Sequence, residues 1–535
     1  MPVIRLQRDE LKRFNIDEDR FIKEVNMLGA DLKDFDEKEI RVEFFPDRPD
    51  MYTLEGVVRA IKGFWRIEKG APKYHAKDGD VKVFVDERMK DIRPYIVGAV
   101  IRGIEVDDLM IKSMMEFQEK LHITVGRKRK KLAIGLHDFD KVKPPFYYVP
   151  KDKNFKFVPL GFQEEMGLED ILKEHPKGIE YAHILEGLKE FPIIIDSLGN
   201  VLSFPPIING TLTQITNRTR NIFIDITGTD LNTLNSVLNI IACSFADRGA
   251  SIEIVEVKYP DNIVKTPKLE YSKIKVEKDY IAKILGKKLQ DEDILDALQR
   301  MRFDVEIGDK IVKVNIPPYR MDILHPVDII EDIAKGLTFQ NFKQSLPTRE
   351  KIGSTIKDFE NVVRNIMIGL GFSEITTLTI TSPKVQYDAM RLPRENFVEI
   401  ENPITEEGTT LRSWLIPSLM EILRKNKHRE LPQKIFEIGY VMREKKEEHL
   451  AFLYIDSSAS FTLSKSYAEA ILKNLGIEKY EIREIEHNSF IPGRVAGIYK
   501  DEEIGFFGEI HPEVLENFEL GYPTIAMEIN LSKIK

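Results

Sequence analysis

Apolar residues recur along this chain with two spacings, about 3.6 residues in some stretches and two in others, and the two alternate over most of its length. Residues 53–64 carry the helical spacing, with Thr53 placed to cap the first turn. A longer helix is predicted over 231–248, where Leu234, Val237, Leu238, Ile241 and Phe245 form one stripe. Strands are predicted at 95–101, 193–196 and 222–227. Further on, Ile356, Phe359, Val362, Val363, Ile366 and Leu370 make a helical stripe, followed by a Thr/Ile-rich strand over 375–380. Two strands, 434–441 and 450–455, are joined by a charged segment, 442–449, and read as an antiparallel hairpin. The polar, turn-rich stretch 72–80 reads as a boundary. These patterns divide the chain into four modules: 1–84, 85–265, 266–345 and 346–535. The class is multidomain, mixed α/β and α+β.

A length of 535 residues fits that division, since about three or four domains are expected at this size. Hydrophobic content of 42% beside 31% charged residues describes a soluble globular chain. No apolar run approaches the roughly 20 residues that span a membrane. The first ten residues turn acidic too early for a secretion signal. One cysteine, Cys243, excludes an internal disulfide and a cysteine-based zinc site, and it points to a reducing, cytoplasmic setting. A net charge of −9 means that binding a polyanion requires a local basic patch. The run Gly126-Arg127-Lys128-Arg129-Lys130-Lys131 is the densest candidate: it reads as a phosphate-backbone contact or as a solvated loop.

The candidate chemistry lies in two places. Asp322, Asp328, Glu331 and Asp332 put four carboxylates within eleven residues. Pro326 suits the first turn of a helix, and a helix starting there aligns Asp328, Glu331 and Asp332 at i, i+3 and i+4. Such a cluster suits a hard cation such as Mg²⁺; the helix dipole alone also favours acids at that end. At 223–230 a strand ends in polar residues, with Asp225 and Thr227 on its less apolar face. The stiff turn Pro205-Pro206-Ile207-Ile208-Asn209-Gly210 is placed to border the same pocket, and Thr229 or Asp230 to cap the following helix. His487, Arg494 and His511 are scattered, with no second ligand at metal spacing. No GxxxxGK[ST], GxGxxG or HExxH motif is present. A phosphoryl-transfer or nuclease reading of the carboxylates lacks an accompanying base or nucleophile.

The segment Pro318-Tyr319-Arg320-Met321-Asp322-Ile323-Leu324-His325 with Asp328, Glu331 and Asp332 resembles the signature of the phenylalanyl-tRNA synthetase beta-subunit family, in its archaeal and eukaryotic form. Asp47-Arg48-Pro49-Asp50 with Glu55-Gly56 resembles its N-terminal motif. Residues 133–138 and 203–209 resemble its editing region. Asn402-Pro403, Leu411-Arg412, Phe436-Glu437-Ile438-Gly439, Ile491-Pro492-Gly493-Arg494 and Gly508-Glu509-Ile510-His511-Pro512 resemble its C-terminal domain. The resemblance implies an editing domain, a small winged-helix-like domain and a degenerate class II synthetase domain with an antiparallel sheet. It implies an α₂β₂ heterotetramer in which the alpha subunit uses ATP to charge tRNA(Phe). It also implies a Mg²⁺ shared with alpha at Asp322, Asp328, Glu331 and Asp332. The degenerate domain lacks the Arg-x-Glu of a class II ATP site. Editing would hydrolyse Tyr-tRNA(Phe), since an apolar pocket discriminates weakly against an added hydroxyl. Ile194 and Ser203 would line that pocket, and Asp225 and Thr227 would read the phenol or orient water. The alternative is a non-enzymatic, tRNA-binding scaffold with an inactive editing site.

Overall fold

The structure is a computed structural model that describes residues 2–344, 346, 358–395 and 397–534. It forms two compact units, Met1–Ser345 and Leu346–Lys535. Each is mixed α and β and built on several sheets. Among the described residues no helix is long and apolar enough to cross a membrane.

The first unit holds three principal sheets. An antiparallel sheet of Val3–Gln7, Glu39–Phe44 and Ala30–Phe35 precedes the helix Leu54–Phe64, which Thr53 caps by accepting the Gly56 N–H. A ten-stranded sheet follows. Its path runs Ile208–Asn209, Val201–Phe204, Glu190–Ile195, Phe146–Asp152, Ala76–Val85, Ser251–Lys258, Tyr95–Arg102, Asn221–Gly228, Leu132–Asp138, with Ile263–Thr266 paired to Ser251–Lys258. Ala76–Val85 pairs in parallel with both of its neighbours. Two apolar cores use opposite faces. Ile222, Ile224 and Ile226 pack with Leu234, Val237, Leu238 and Ile241 of the helix Leu231–Asp247. Phe223 packs with Val100, Phe146, Tyr148 and Ile194.

The polar stretch 72–80 lies between the helix Leu54–Phe64 and the ten-stranded sheet. The strand Ala76–Val85 starts inside it and belongs to the ten-stranded sheet. Its Lys77, Asp78, Asp80 and Lys82 stay exposed while Val81 and Val83 are buried. The expected modules 1–84, 85–265 and 266–345 thus share one compact unit.

A third sheet, Ser272–Glu277, Ile311–Ile316 and Asp304–Ile307, packs with the helices Lys278–Leu285, Asp291–Arg300 and Pro326–Leu337. The last two helices meet closely: a Cβ on Gly336 would lie 2.4 Å from the Ala297 carbonyl oxygen.

The second unit is a seven-stranded sheet, antiparallel except for the short edge strand Ser373–Glu374. One core gathers Leu419 and Leu423 of the helix Ile416–Lys425 with Val441 and Leu453. The other gathers Val363, Met367, Ala468 and Ile471 with Phe436 and Phe452. Val363 and Met367 come from the helix Asp358–Gly369; Ile356 of the predicted stripe lies outside the described residues. Two expectations are corrected. The hairpin strands Gln433–Met442 and Lys446–Ile455 pair in register to Met442 opposite Lys446, so the turn is far shorter than 442–449. The predicted strand at 375–380 is instead two fragments, Ser373–Glu374 and Ile380–Thr381. Between them Thr377 turns inward, and its hydroxyl donates to Glu437 at 2.6 Å.

Candidate functional site

Side chains alternate across a strand, so Asp225 and Thr227 share the face of Phe223, against an apolar core. They are 1% and 0% exposed. Buried polar groups need partners, and each has a distinct one. Asp225 Oδ2 lies 2.6 Å from His137 Nε2, and His137 Nδ1 lies 2.8 Å from Thr213 Oγ1. The other acceptors for the Thr213 hydroxyl, the carbonyls of Gly210 and Leu202, are at 3.3 and 3.5 Å. The shorter contact has the hydroxyl donating to Nδ1, which leaves Nε2–H to donate to the Asp225 carboxylate. Two glycines flank Asp225 in the ladder, Gly98 and Gly135. A Cβ on Gly135 would sit 2.1 Å from Asp225 Oδ2 and 2.6 Å from His137 Nε2, so only glycine leaves room for this pair.

Thr227 is held by Arg93, itself 3% exposed. Arg93 Nε donates to Thr227 Oγ1 at 3.0 Å and Nη2 to the Thr227 carbonyl at 2.8 Å. Burial pulls the Arg93 guanidinium down to about 10, against the pull of Tyr148 and Asp225, so it stays charged at neutral pH. Arg93 also donates to the carbonyls of Arg129 at 3.2 Å and Lys130 at 3.4 Å, and so ties the basic run to the strand. In that run Arg127, Lys128 and Arg129 all have left-handed backbones, φ 49°, 53° and 65°, at a cost of roughly 1–2 kcal/mol each. Arg129 offsets part of this by donating to the carbonyls of Pro206 at 3.1 Å and Ile207 at 2.8 Å.

Ile194 and Ser203 lie directly opposite each other on neighbouring strands, and both are buried. They are far from Asp225 in strand order, yet Ile194 shares the core of Phe223. Thr213 lies between the two halves, bonded to His137 on one side and 3.5 Å from the Leu202 carbonyl, next to Ser203, on the other. The turn at 205–210 therefore does border this region. Asp230, rather than Thr229, caps the following helix.

The four carboxylates are not gathered. Pro326 is the first residue of the helix Pro326–Leu337, as its sequence predicts. Arg320, 5% exposed, donates to Asp322 at 2.6 and 2.9 Å and to Asp332 at 2.6 Å. Asp328 Oδ2 accepts the backbone N–H of Leu324 and His325 at 2.8 and 2.7 Å. Glu331 is exposed and pairs with Lys335 at 2.9 Å. Among the described residues no three acidic, histidine or cysteine side chains are placed to hold a metal. The donors have the chemistry for Mg²⁺, but Arg320 already fills the position of a cation between Asp322 and Asp332. In this chain alone they do not fit the ion.

The same cluster meets the N-terminal motif. Arg48 binds Asp50 through two bonds of 2.8 and 2.9 Å. Arg59 reaches Asp50 at 3.4 Å and Asp247 at 2.5 Å, with its guanidinium 3.8 Å from the Tyr319 ring centre. Burial alone would push the Asp50 carboxyl up; Arg48, Arg59 and Arg320 hold it below its ordinary range. Burial likewise disfavours charge on Arg320, but Asp322 and Asp332 raise it well above the usual value.

The B5 domain model of tRNA synthetases matches residues 274–339, and the phenylalanyl tRNA synthetase beta chain CLM domain model matches residues 343–531. The phenylalanine–tRNA ligase beta subunit of Archaeoglobus fulgidus is 46% identical over 99% of this chain and 98% of its own length. The chain belongs to the phenylalanine–tRNA ligase beta-subunit family. The beta subunit of Pyrococcus furiosus is 42% identical over the whole of both chains. A crystal structure of an N-terminal fragment of the Pyrococcus horikoshii phenylalanyl-tRNA synthetase beta subunit superposes with a TM-score of 0.61. It is 41% identical and covers 63% of this chain and 99% of the fragment.

Within this family member, sequence reasoning overlooked His137, Thr213, Arg93 and Arg320. Two of them had a signal: His137 lies within 133–138, and Arg320 within the motif that holds Asp322. Of the histidines singled out earlier, His511 caps a helix by accepting the Glu513 N–H at 3.2 Å. His487 is half-buried among Trp414, Phe490 and Phe506, and desolvation pulls it down to about 4. In the second unit Glu437 is taken by Arg412 at 2.8 Å and by Thr377. Arg494 pairs with Glu509 at 2.8 Å.

Proposed function

We propose that this chain is the non-synthetic subunit of a cytoplasmic phenylalanine–tRNA ligase and that it hydrolyses Tyr-tRNA(Phe) in its ten-stranded sheet. Its partner is the alpha subunit, in an α₂β₂ assembly, where phenylalanine is activated with ATP and passed to tRNA(Phe). The three-stranded module with its helices is the winged-helix-like domain. The seven-stranded unit is the degenerate class II domain, and the occupation of Glu437 by Arg412 and Thr377 agrees with a role other than ATP binding.

One observation carries the editing reading: a carboxylate and a hydroxyl, buried on one face of a strand, each oriented by a partner of its own. Tyrosine differs from phenylalanine by one hydroxyl, and a site built to hydrogen-bond a hydroxyl rejects the analogue lacking it strongly. Asp225 has one oxygen engaged by His137; the other is its acceptor for the phenol or for the attacking water. Thr227, its hydroxyl accepting from Arg93, directs its own proton away from Arg93. Ile194 and Ser203 line the ring's side of the pocket. The general-base contribution of a positioned carboxylate is typically 10²–10⁴-fold. The test is deacylation of Tyr-tRNA(Phe) by the complex of this chain with alpha, compared with Asp225→Ala. The expected loss is about a hundredfold or more, with phenylalanine-dependent ATP–pyrophosphate exchange retained. No hydrolysis by the unaltered complex would leave the scaffold reading in its place.

A further inference from the structure

We propose that the loop at residues 126–131 is the surface on which the backbone of the bound RNA rests, and that Arg93 couples this surface to Thr227. The inference rests on the editing reading and deepens it by naming where the polyanion docks.

The loop separates its cations into two sets. Arg129 faces inward onto carbonyl oxygens and Glu119, and Lys131 pairs with Asp230 at 3.0 Å. Arg127, Lys128 and Lys130 are exposed, and among the described residues no acidic side chain pairs with them. Three free cations within four residues form a local basic patch on a chain of net charge −9, which is what binding a polyanion requires. The backbone that presents them is left-handed at three successive non-glycine residues. Such strain persists where the surroundings over-determine it. Here the tethers are Arg129, and Arg93 through the carbonyls of Arg129 and Lys130.

Arg93 gives this geometry its second use. Its guanidinium reaches the loop carbonyls and both oxygens of Thr227 at once. A phosphate backbone bearing on the loop therefore presses on the group that fixes Thr227. The chemistry that matches three free cations beside a hydrolytic pocket is a single-stranded nucleic-acid end carrying the ester to be cleaved.

The experiment uses the complex of this chain with the alpha subunit. Arg127→Ala/Lys128→Ala/Lys130→Ala is compared with the unaltered chain for Tyr-tRNA(Phe) hydrolysis across a salt series, with equal unfolding midpoints as the control for folding. KM is expected to rise about tenfold, and kcat to fall with it, because the loaded loop bears on Arg93. The slope of log kcat/KM against log salt should become shallower by about 2, since each single-strand phosphate contact contributes roughly 0.7. An unchanged KM and slope overturns the docking surface. Arg93→Lys should lower kcat while leaving the salt slope intact; an unchanged kcat overturns the coupling. Equal competition by polyglutamate and by tRNA would overturn the assignment to RNA. Should the unaltered complex hydrolyse nothing, the editing reading fails on its own. Direct binding of tRNA(Phe) then decides the loop, by the same change of slope.

Discussion

Replacing Arg320 by methionine tests the placement of the carboxylates most directly. Arg320 is 5% exposed, and its guanidinium is the cation for both Asp322 and Asp332. Methionine keeps much of the side chain's apolar volume and removes the charge. Asp332 is 2% exposed, so it would be left as an uncompensated buried carboxylate, and breaking a buried pair in this way costs about 3–5 kcal/mol. Loss of the contact with the Phe303 ring, 4.8 Å from the guanidinium carbon, adds about 0.5–1 kcal/mol. Asp322 reaches some solvent, with 13% of its side chain exposed, so its share is smaller. The total expected is roughly 4–6 kcal/mol, read as lost hydrogen-exchange protection in the helix Pro326–Leu337. Amides of the seven-stranded unit serve as the internal reference, because a chain of two units need not unfold in one step. The sign with pH follows from the carboxylates. In the unaltered chain Asp50 is held below its ordinary range, so its contribution is present above about pH 4 and lost as pH falls further. In the variant Asp50 loses Arg320, one of the charges that hold it down, so less of that contribution is left to lose. The gap between the two chains should therefore narrow as pH falls below about 4. A gap under about 1 kcal/mol at pH 7, or one that widens in acid, refutes the network as drawn. Magnesium supplies a second arm. A site with a Kd tenfold below the added concentration would stabilise the unaltered chain by about 1.4 kcal/mol; no such shift is expected, and observing it would falsify the statement that this chain alone does not fit the ion.

Two glycines allow sharper perturbations. Gly135→Ala forces a Cβ to within 2.1 Å of Asp225 Oδ2. Tyr-tRNA(Phe) deacylation should fall at least tenfold while charging with phenylalanine persists; full editing activity would show that Asp225 need not hold this rotamer. Gly336→Ala drives a Cβ toward the Ala297 carbonyl at 2.4 Å, and parting the two helices should cost about 1–3 kcal/mol. Exchange protection in Asp291–Arg300 reads it, and unchanged protection would mean that the crossing is looser than described.

Much of the fold was legible in the residues. The helix Leu54–Phe64 with its Thr53 cap, the helix Leu231–Asp247 and the strands holding Ile96, Ile194 and Phe223 follow from local spacing. The failures share a cause. His449 and Glu447 read as parts of a charged turn, yet they lie within the strand Lys446–Ile455. His449 there meets Glu528 at 2.7 Å and Glu447 meets Asn530 at 2.8 Å, on a strand some eighty positions away. Thr377 left its expected strand for the same kind of reason, drawn inward by Glu437 and Arg412. A polar residue looks exposed until its distant partner is known.

That distinction divides the whole protein. The sequence by itself determined the family, most elements, the helix start at Pro326 and the face shared by Asp225 and Thr227, because spacing and capping act within a few residues. Only the tertiary structure decided the partners. Asp225 belongs with His137, eighty-eight positions away, and Thr227 with Arg93. Asp322 and Asp332 close on Arg320. The physical reason is desolvation: a buried charge must find an opposite charge or a hydrogen bond, and folding, not sequence order, supplies it.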